Sequence, residues 1–410
     1  MMVETQIPPR AQSLLPVAEE LVSRLRLLTE SVSRGVVQEP SVHIGASSEL
    51  WTAEENELSA TRDRIIELSR SLDQLLSGPH GYFQDLIATN WDLGALYTIL
   101  EFGVLERIPL DGSATASQLA TELQLPERKL LNLLRLAACS NILYEAADGV
   151  FGHTAFSEEL VRDDKFRAFI GFQLYETRIG STNLADSLKQ QPNTFEHGQS
   201  AIKYSLGKPL YQWHQQHEEK GQRFRMAMAS VTKTLDPGDA LFQDWFASHA
   251  KDGSKSTVID MFGSNKLSIP DFAQQFPTLE FKEGLTTKQL DEDDNVLAYI
   301  IRNVFWNMPD QEVVNTVASF VPTLKRRQNA GTALLINEML SPNRGDFTGA
   351  LDHAYRRRDV TTMTMHNAKQ RTEAEWRELF ARASSSKFKV KLKSAHSSHS
   401  YRGLWELRLE

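Results

Sequence analysis

The spacing of apolar residues predicts helices in the first half of the chain. Leucines and valines recur at three- and four-residue steps over 14–29, which is the period of an amphipathic helix. A second helix is predicted from Thr52 to a stop at Gly78-Pro79. Over 82–160, shorter helices separated by turns lead into a small hairpin. The order helix, turn, helix and hairpin indicates a winged helix.

The second half of the chain changes to strands that alternate with helices. Residues 180–249 are predicted to be mostly helical, with Phe224, Met228 and Thr232 at four-residue steps on one helix face. Beyond 254, apolar runs alternate with helical segments, so we expect an α/β fold with a mostly parallel sheet and helices on both faces. The predicted strands span 257–262, 295–301, 332–339, 388–392 and 403–409.

Composition narrows the class of protein. The chain has 410 residues, of which 41% are hydrophobic, enough for two domains with cores. Its net charge of −8 argues against a nucleic-acid partner or an anionic membrane. Because no apolar run approaches the roughly 20 residues of a membrane span and the N-terminus lacks a signal-peptide pattern, we expect a cytoplasmic protein. The single cysteine, Cys139, is predicted to lie in a helical core.

Three segments carry longer patterns of residues. They are VFGHTAFS at 150–157, RFRMAM at 223–228 and DVTTMTMHNAKQRTEAEW at 359–376. In these segments the chain resembles the plant and fungal S-adenosylmethionine-dependent O-methyltransferases. The resemblance covers roughly 82 to the C-terminus and implies a dimerising winged-helix domain followed by a Rossmann-like catalytic domain.

The resemblance gives the expected domain organisation. We expect N-terminal helices at 1–80 and a winged helix at 81–165, both of which would serve dimerisation into a homodimer. A helical linker at 166–252 would line the cleft, and the Rossmann-like methyltransferase domain would occupy 253–410.

The segment that would bind the cofactor departs from the family. There the first strand is followed by Asp-Val-Gly-Gly-Gly-x-Gly, whose glycines let the backbone approach the cofactor. This chain has a degenerate site with a phenylalanine and a lysine in the same stretch, so we expect no bound cofactor, with S-adenosylmethionine as the alternative. The residues of the degenerate site are Asp260, Phe262, Gly263, Ser264 and Lys266.

Two further departures concern the ribose and the catalytic base. In the family a second strand ends in an aspartate that holds the ribose hydroxyls; here 282–294 leads almost at once to the next apolar run, so we predict that this acid and much of the adenine pocket are absent. The family's basic histidine takes a proton from the substrate hydroxyl, and Trp306 stands in its place. Because indole has an N–H donor and no usable base, this position cannot deprotonate a phenol.

Loss of the cofactor contacts and the base, with the substrate side retained, indicates a change of chemistry. At this level the chain resembles the O-methyltransferase-like pericyclases of fungal pyridone pathways. That resemblance implies stereoselective cyclisation, by Alder-ene or hetero-Diels–Alder reaction, of a polyketide-derived pyridone quinone methide without methyl transfer. The alternatives are an O-methyltransferase of a phenolic or polyketide substrate and a non-catalytic methyltransferase-like partner subunit.

Such a cyclisation needs a dry cavity and a few hydrogen-bond donors on a carbonyl. His153, at the end of the wing, could act as an acid or base, and no metal is expected. The candidate donors are Thr232, Asn337, Trp306 and Asn307. The candidate substrate-binding residues are Phe224, Met228, Met363, Met365 and His366.

Overall fold

The structure, a computed structural model, divides into two compact units, Met1–Leu174 and Tyr175–Glu410. The finer predicted division into four segments stays a prediction. The residues that the structure describes are 13–46, 57–190, 199–234, 238–250, 255–262, 269–283, 295–347, 349–384, 388–396 and 401–409.

Two helices open the first unit and pack against each other, Leu14–Ser33 and Glu57–Glu101. The predicted stop at Gly78-Pro79 is confirmed: the backbone at Gly78 is non-helical, with a φ of 61° and a ψ of 179°, and a second helical part runs on from there to Glu101. Proline has a fixed φ that suits the first turn of a helix, so Pro79 can open the second half after the bend. The predicted start at Thr52 lies outside the described residues.

The rest of the first unit has the arrangement of a winged helix. Three antiparallel strands lie in the order β1 (Ser113–Thr115), β3 (Val150–His153) and β2 (Leu143–Ala147). The helix Glu127–Cys139 buries Leu130, Leu134 and Ala137, whereas Cys139 is exposed, so its predicted place in the core is wrong. The helical period puts position 139 on another face than 130, 134 and 137. The other helices of this part are Ala116–Leu123, Ala155–Arg162 and Asp164–Phe172.

Helices form the first part of the second unit, as predicted. A π-helical turn, Gln173–Thr177, precedes them at the junction of the two units. The helices are Arg178–Thr182, Leu184–Gln190, Ala201–Leu206, Leu210–Gln216, Glu218–Thr234 and Gly238–His249.

A six-stranded sheet follows. Its strands are β4 (Ser256–Asp260), β5 (Leu279–Glu283), β6 (Val296–Arg302), β7 (Ala333–Met339), β8 (Phe388–His396) and β9 (Tyr401–Leu409). They lie in the order β5-β4-β6-β7-β9-β8. The strands β4, β5, β6 and β7 are parallel, while β9 runs antiparallel to both of its neighbours. This topology confirms the predicted Rossmann-like α/β fold.

Strand β5 corrects one prediction. We expected no second strand between the first helix of this domain and the run at 296, but Leu279–Glu283 pairs in parallel with β4 along its whole length. Its last residue, Glu283, lies in register with Asp260. The strand lies at the edge of the sheet and carries three charged residues. Charge on an edge strand prevents its pairing with another chain. The same charged residues interrupt the apolar pattern by which a strand is predicted from sequence.

Alternate residues of the central strands enter two different cores. Tyr299, Ile301 and Ile336 belong to one cluster, and Ile300 and Leu335 belong to another. Successive side chains of a strand point to opposite faces, so both faces of the sheet are covered. The helices after the first strand are Ile269–Gln275, Asp310–Arg326, Gly349–His366 and Glu373–Ala383. Among the described residues no helix is long and apolar enough to span a membrane.

Candidate functional site

The loop after β6 carries Trp306 and is held by buried polar groups. Asn303 opens the loop with a φ of 53°, and its N–H donates to the Asn337 carbonyl at 3.1 Å. Glu338, which is fully buried, accepts hydrogen bonds from the N–H groups of Val304 and Phe305 at 2.6 and 2.7 Å. Because these bonds use backbone atoms, they fix the path of the chain that leads to Trp306.

Arg371 holds the other side of this loop. Its guanidinium donates to the carbonyl oxygens of Phe305 and Met308 at 3.0 and 2.6 Å, and to Asp310 Oδ1 at 2.8 Å. Burial by itself raises the pKa of the Asp310 carboxyl, but Arg371 and Lys369 outweigh burial and lower that pKa below its ordinary value. The segment at 359–376, which resembles the methyltransferase family, therefore acts partly as a support for the loop.

Trp306 contributes its ring to the site. Its Nε1–H donates a hydrogen bond to the backbone carbonyl of Asn303 at 3.1 Å. The N–H group that the sequence analysis proposed as a donor to substrate is therefore engaged within the protein. Its ring meets the imidazole of His366 edge to face, with the centroids 4.7 Å apart. No base stands at this position. The side chain of the next residue, Asn307, lies outside the described part of the chain.

A chain of ring contacts links Trp306 to two helices of the same unit. The ring of Tyr211 lies 5.6 Å from that of His366 and 5.9 Å from that of Phe224. Phe224 also stacks on His214 at 4.6 Å. We call Trp306, His366, Tyr211, Phe224 and His214 the aromatic cluster. The structure thus brings together three predicted site residues from three separate segments.

Tyr211 and His214 were missed by the sequence analysis. They lie three residues apart on the short helix Leu210–Gln216, a spacing that puts them on one helix face. The run YQWH in this helix was a signal that could have found them.

Behind the cluster lies a buried ionic network. Glu176 is fully buried, and its carboxylate accepts a hydrogen bond from Arg223 Nη2 at 2.6 Å. His214 Nε2 lies 3.2 Å from the other carboxylate oxygen. Removing one partner of a buried charge pair is strongly destabilising, so this network fixes the helices that carry Phe224 and Tyr211.

The methionines predicted to bind substrate differ in accessibility. Met228 and Met363 are half-buried, whereas Met365 is buried. A Cβ on Gly180 would lie 3.7 Å from Met365 Sδ and 2.9 Å from Thr364 Cγ2. Met365 therefore packs inside the unit against the helix Arg178–Thr182, and its role in substrate binding stays a prediction.

Two other predicted hydrogen-bond donors, Asn337 and Thr232, belong to β7 and to the helix Glu218–Thr234. Asn337 is fully buried within β7, where its Nδ2 donates to the Gly403 carbonyl at 3.1 Å. Its Oδ1 has no hydrogen-bond partner among the described residues. The helix Glu218–Thr234 includes Thr232, but the side chain of Thr232 lies outside the described part.

His153 lies in the first unit and is engaged there. Its Nδ1 lies 2.9 Å from Ser157 Oγ, and its Nε2 lies 3.0 Å from the Ile108 carbonyl. The ring is buried, so the contacts give it a structural role in the winged helix. Its action as an acid or base stays a prediction.

The degenerate cofactor segment is described in part. Asp260 is buried at the end of β4 and accepts a hydrogen bond from the Phe262 N–H at 3.2 Å. Phe262 is 44% exposed, so a phenyl ring stands where the family has a bare backbone. Gly263, Ser264 and Lys266 lie outside the described residues.

Two observations test the fit of S-adenosylmethionine. Glu283 ends β5 in register with Asp260, so an acid does stand at the end of the second strand, where we predicted its loss. The ring of Phe262 and the indole at the base position, however, do not fit methyl transfer as the family performs it. Within the described part of the chain, no group of three or more His, Cys, Asp or Glu residues could hold a metal.

The chain is similar to known proteins in both sequence and fold. No family model matches it. It is 36% identical over 408 residues to "O-methyltransferase phnC" of Penicillium herquei, covering 90% of this chain and 95% of that protein. Two solved structures share the fold: "The structure of LepI complex with SAM" has a TM-score of 0.69 at 13% identity, and "A Pericyclic Reaction enzyme" has a TM-score of 0.68 at 13% identity. Each covers 96% of this chain, and the whole of that chain is matched. The chain therefore belongs to the O-methyltransferases of fungal secondary metabolism and is an enzyme on the O-methyltransferase fold.

Proposed function

We propose that the protein is a pericyclase that cyclises a polyketide-derived pyridone quinone methide without methyl transfer. The proposal rests on Trp306, whose side chain cannot act as a base. It occupies the position of the family's base, has no basic atom, and uses its N–H on the Asn303 carbonyl. A methyltransferase of this family would need that position to take a proton from its substrate.

The proposed reaction has two stages. A proton leaves a ring hydroxyl of the pyridone precursor and hydroxide leaves the adjacent carbinol carbon, which together give water and the quinone methide. The cyclisation then redistributes electrons within the same molecule, so no atom is gained or lost. An enzyme accelerates such a step by holding the flexible chain close to its reactive conformation and by polarising the carbonyl.

The aromatic cluster suits this task. Its flat rings provide apolar walls for a conjugated substrate, and the buried network of Glu176 with Arg223 and His214 makes the walls rigid. Rigid walls select one folded conformer of the substrate, which is the basis of stereoselectivity. On this basis we assign substrate contact to Phe224 and His366; contact with the half-buried Met228 and Met363 stays a prediction from the sequence.

A second candidate function is methylation of a phenolic or polyketide hydroxyl. The relative named O-methyltransferase phnC favours it, as does Glu283 on the strand beside Asp260. It would require a base from elsewhere in the unit, since Trp306 cannot serve. A non-catalytic partner subunit of an active methyltransferase is a third candidate.

We also propose a homodimer. On the helix Glu57–Glu101, Phe83, Ile87 and Trp91 follow one another at four-residue steps and are 61%, 69% and 72% exposed. Such an apolar stripe is typical of a helix face that binds another helix. Light scattering on the wild type should give twice the 46.4 kDa chain mass, and Trp91→Glu should lower it; a monomeric wild type would contradict the proposal.

The pericyclase proposal is tested with a synthetic pyridone alcohol that dehydrates to a quinone methide. The purified protein should accelerate cyclisation and favour one stereoisomer, with or without added S-adenosylmethionine, and should form no methylated product. Methyl transfer to a phenol, without any effect on cyclisation, would establish the second candidate. No effect on either reaction, together with a stable complex with an active methyltransferase, would favour the third.

A further inference from the structure

Tyr211 is the most exposed member of the aromatic cluster. It is 41% exposed, whereas His366, with which it is in contact, is only 7% exposed. A large aromatic side chain that joins two buried or half-buried rings and still reaches solvent can contact a molecule that enters from solvent. Exposed tyrosines are common in proteins, so the role of Tyr211 has to be inferred from the residues that it contacts.

The neighbours of Tyr211 are predicted substrate residues. Its ring lies 5.9 Å from Phe224 in an edge-to-face arrangement, at an interplanar angle of 72°. On its other side it lies 5.6 Å from His366, at an angle of 34°. Phe224 and His366 come from helices that are far apart in the sequence. Tyr211 therefore joins the two walls of the candidate site.

The other rings near Tyr211 are less suited to polarise a substrate carbonyl, and His366, which also has a ring N–H, is only 7% exposed. The Trp306 N–H is directed to the Asn303 carbonyl, and Phe224 has no donor. A tyrosine hydroxyl has a pKa of about 10 in water and so remains a donor at neutral pH. Within the described cluster it is the exposed side chain that combines a flat apolar ring with a hydroxyl donor.

We infer that Tyr211 is a catalytic residue that stacks on the substrate and donates a hydrogen bond to its quinone-methide carbonyl. This inference rests on the proposed function. Electron density grows on the carbonyl oxygen as the pyridone ring regains its aromatic character, so the hydrogen bond strengthens in the transition state. No bond to Tyr211 forms or breaks, and its proton stays on the phenol oxygen.

The test compares Tyr211→Phe and Tyr211→Ala with wild type and with Tyr204→Phe. Tyr204 is a similarly exposed tyrosine, at 42%, on the preceding helix Ala201–Leu206. Two measurements are made: the rate of cyclisation of the synthetic alcohol, and calorimetric binding of a stable pyridone that cannot form a quinone methide.

Tyr211→Phe should lower kcat about tenfold or more, the scale for loss of one transition-state donor, and change KM and binding of the stable pyridone by less than about threefold. Tyr211→Ala should also weaken that binding about tenfold, because the stacking surface is lost. Tyr204→Phe should match wild type. A Tyr211→Phe rate within about twofold of wild type would overturn the donor role.

The experiment separates failure of the inference from failure of the proposed function. If wild type does not accelerate cyclisation at all, the pericyclase proposal fails. Binding of the stable pyridone then decides whether Tyr211 contacts an aromatic substrate. Weaker binding by Tyr211→Ala supports the contact, and unchanged binding overturns it.

Discussion

The rings of Trp306 and His366 meet edge to face, with 4.7 Å between their centroids and 82° between their planes. Trp306 belongs to the loop after β6, and His366 is the last residue of the helix Gly349–His366. The contact joins the position of the lost base to the segment that most resembles the family. It makes the base position a wall of the site.

Two substitutions of Trp306 should separate the contribution of its ring to stability from the contribution of its N–H hydrogen bond. Trp306→Phe keeps an aromatic edge for His366 and loses the bond to Asn303, so it should lower the free energy of unfolding by about 1 kcal/mol. Trp306→Ala also loses the ring contact and should lower it by about 2 kcal/mol and reduce stereoselectivity. Chemical denaturation and product analysis check both. Tyr204→Phe, at an exposed position on another helix, is the control and should change stability by less than about 0.5 kcal/mol.

Arg371 should be hard to replace. It is almost fully buried and donates to the carbonyls of Phe305 and Met308 and to the Asp310 carboxylate. Arg371→Ala should lower the free energy of unfolding by about 3–5 kcal/mol. Arg371→Lys keeps the charge but not the planar fork of donors. This variant should still fold, and it should catalyse the proposed cyclisation more slowly than wild type.

The control for Arg371 is Arg162→Ala. Arg162 is largely exposed and pairs with the half-buried Glu158 four residues away on one helix, and pairs of this spacing contribute little. Equal stability losses for Arg371→Lys and Arg162→Ala would show that the fork geometry of Arg371 has no special role.

The pairing of Asp310 should make stability depend on acid pH. Burial raises the pKa of this carboxyl, but Arg371 and Lys369 more than offset burial, so the folded-state pKa lies below the ordinary value of 3.8. The stabilisation is therefore present above pH 3.8 and is lost as the pH falls through the folded-state pKa. Denaturation curves at pH 7, 5 and about 3 should show a smaller acid loss for Asp310→Asn than for wild type. Parallel pH profiles would contradict this assignment.

Phe262 should decide how well the chain binds S-adenosylmethionine. Its ring is 44% exposed directly after the buried Asp260, where the family has glycine. Phe262→Gly removes the ring at little cost to packing and should raise the affinity for S-adenosylmethionine, measured by calorimetry, about tenfold or more. Phe262→Ala should have an intermediate effect. If wild type binds tightly and Phe262→Gly weakens binding, the ring is part of the cofactor site rather than an obstacle.

Gly180 should be needed for the helix packing beside Met365. A Cβ at this position would lie 2.9 Å from Thr364 Cγ2, closer than such atoms approach. Gly180→Ala should lower the free energy of unfolding by about 1–3 kcal/mol. Thr364→Ser removes that methyl group and keeps the hydroxyl, so the double variant should recover much of the loss. If the effects of the two substitutions on the free energy of unfolding are additive, a contact other than the one with Thr364 prevents a side chain at position 180.

The sequence alone determined the type of fold and the nature of the change at the site. Apolar runs predicted five of the six strands of the large sheet, all but β5. The signal is clearest at β6 and β7, because strands buried on both faces are continuously apolar. The substitution of Trp306 for the family's base is a property of a single position, and the chemistry of indole needs no coordinates. The motif at 359–376 drew attention to His366, which the structure places at the end of the helix Gly349–His366.

Only the tertiary structure decided the other features. Strand β5 carries charge at a sheet edge, so its pairing with β4 had no apolar signal. The aromatic cluster joins Tyr211, Phe224, Trp306 and His366 from separate segments. Contacts between distant segments depend on how the chain packs, and no local pattern of residues encodes them.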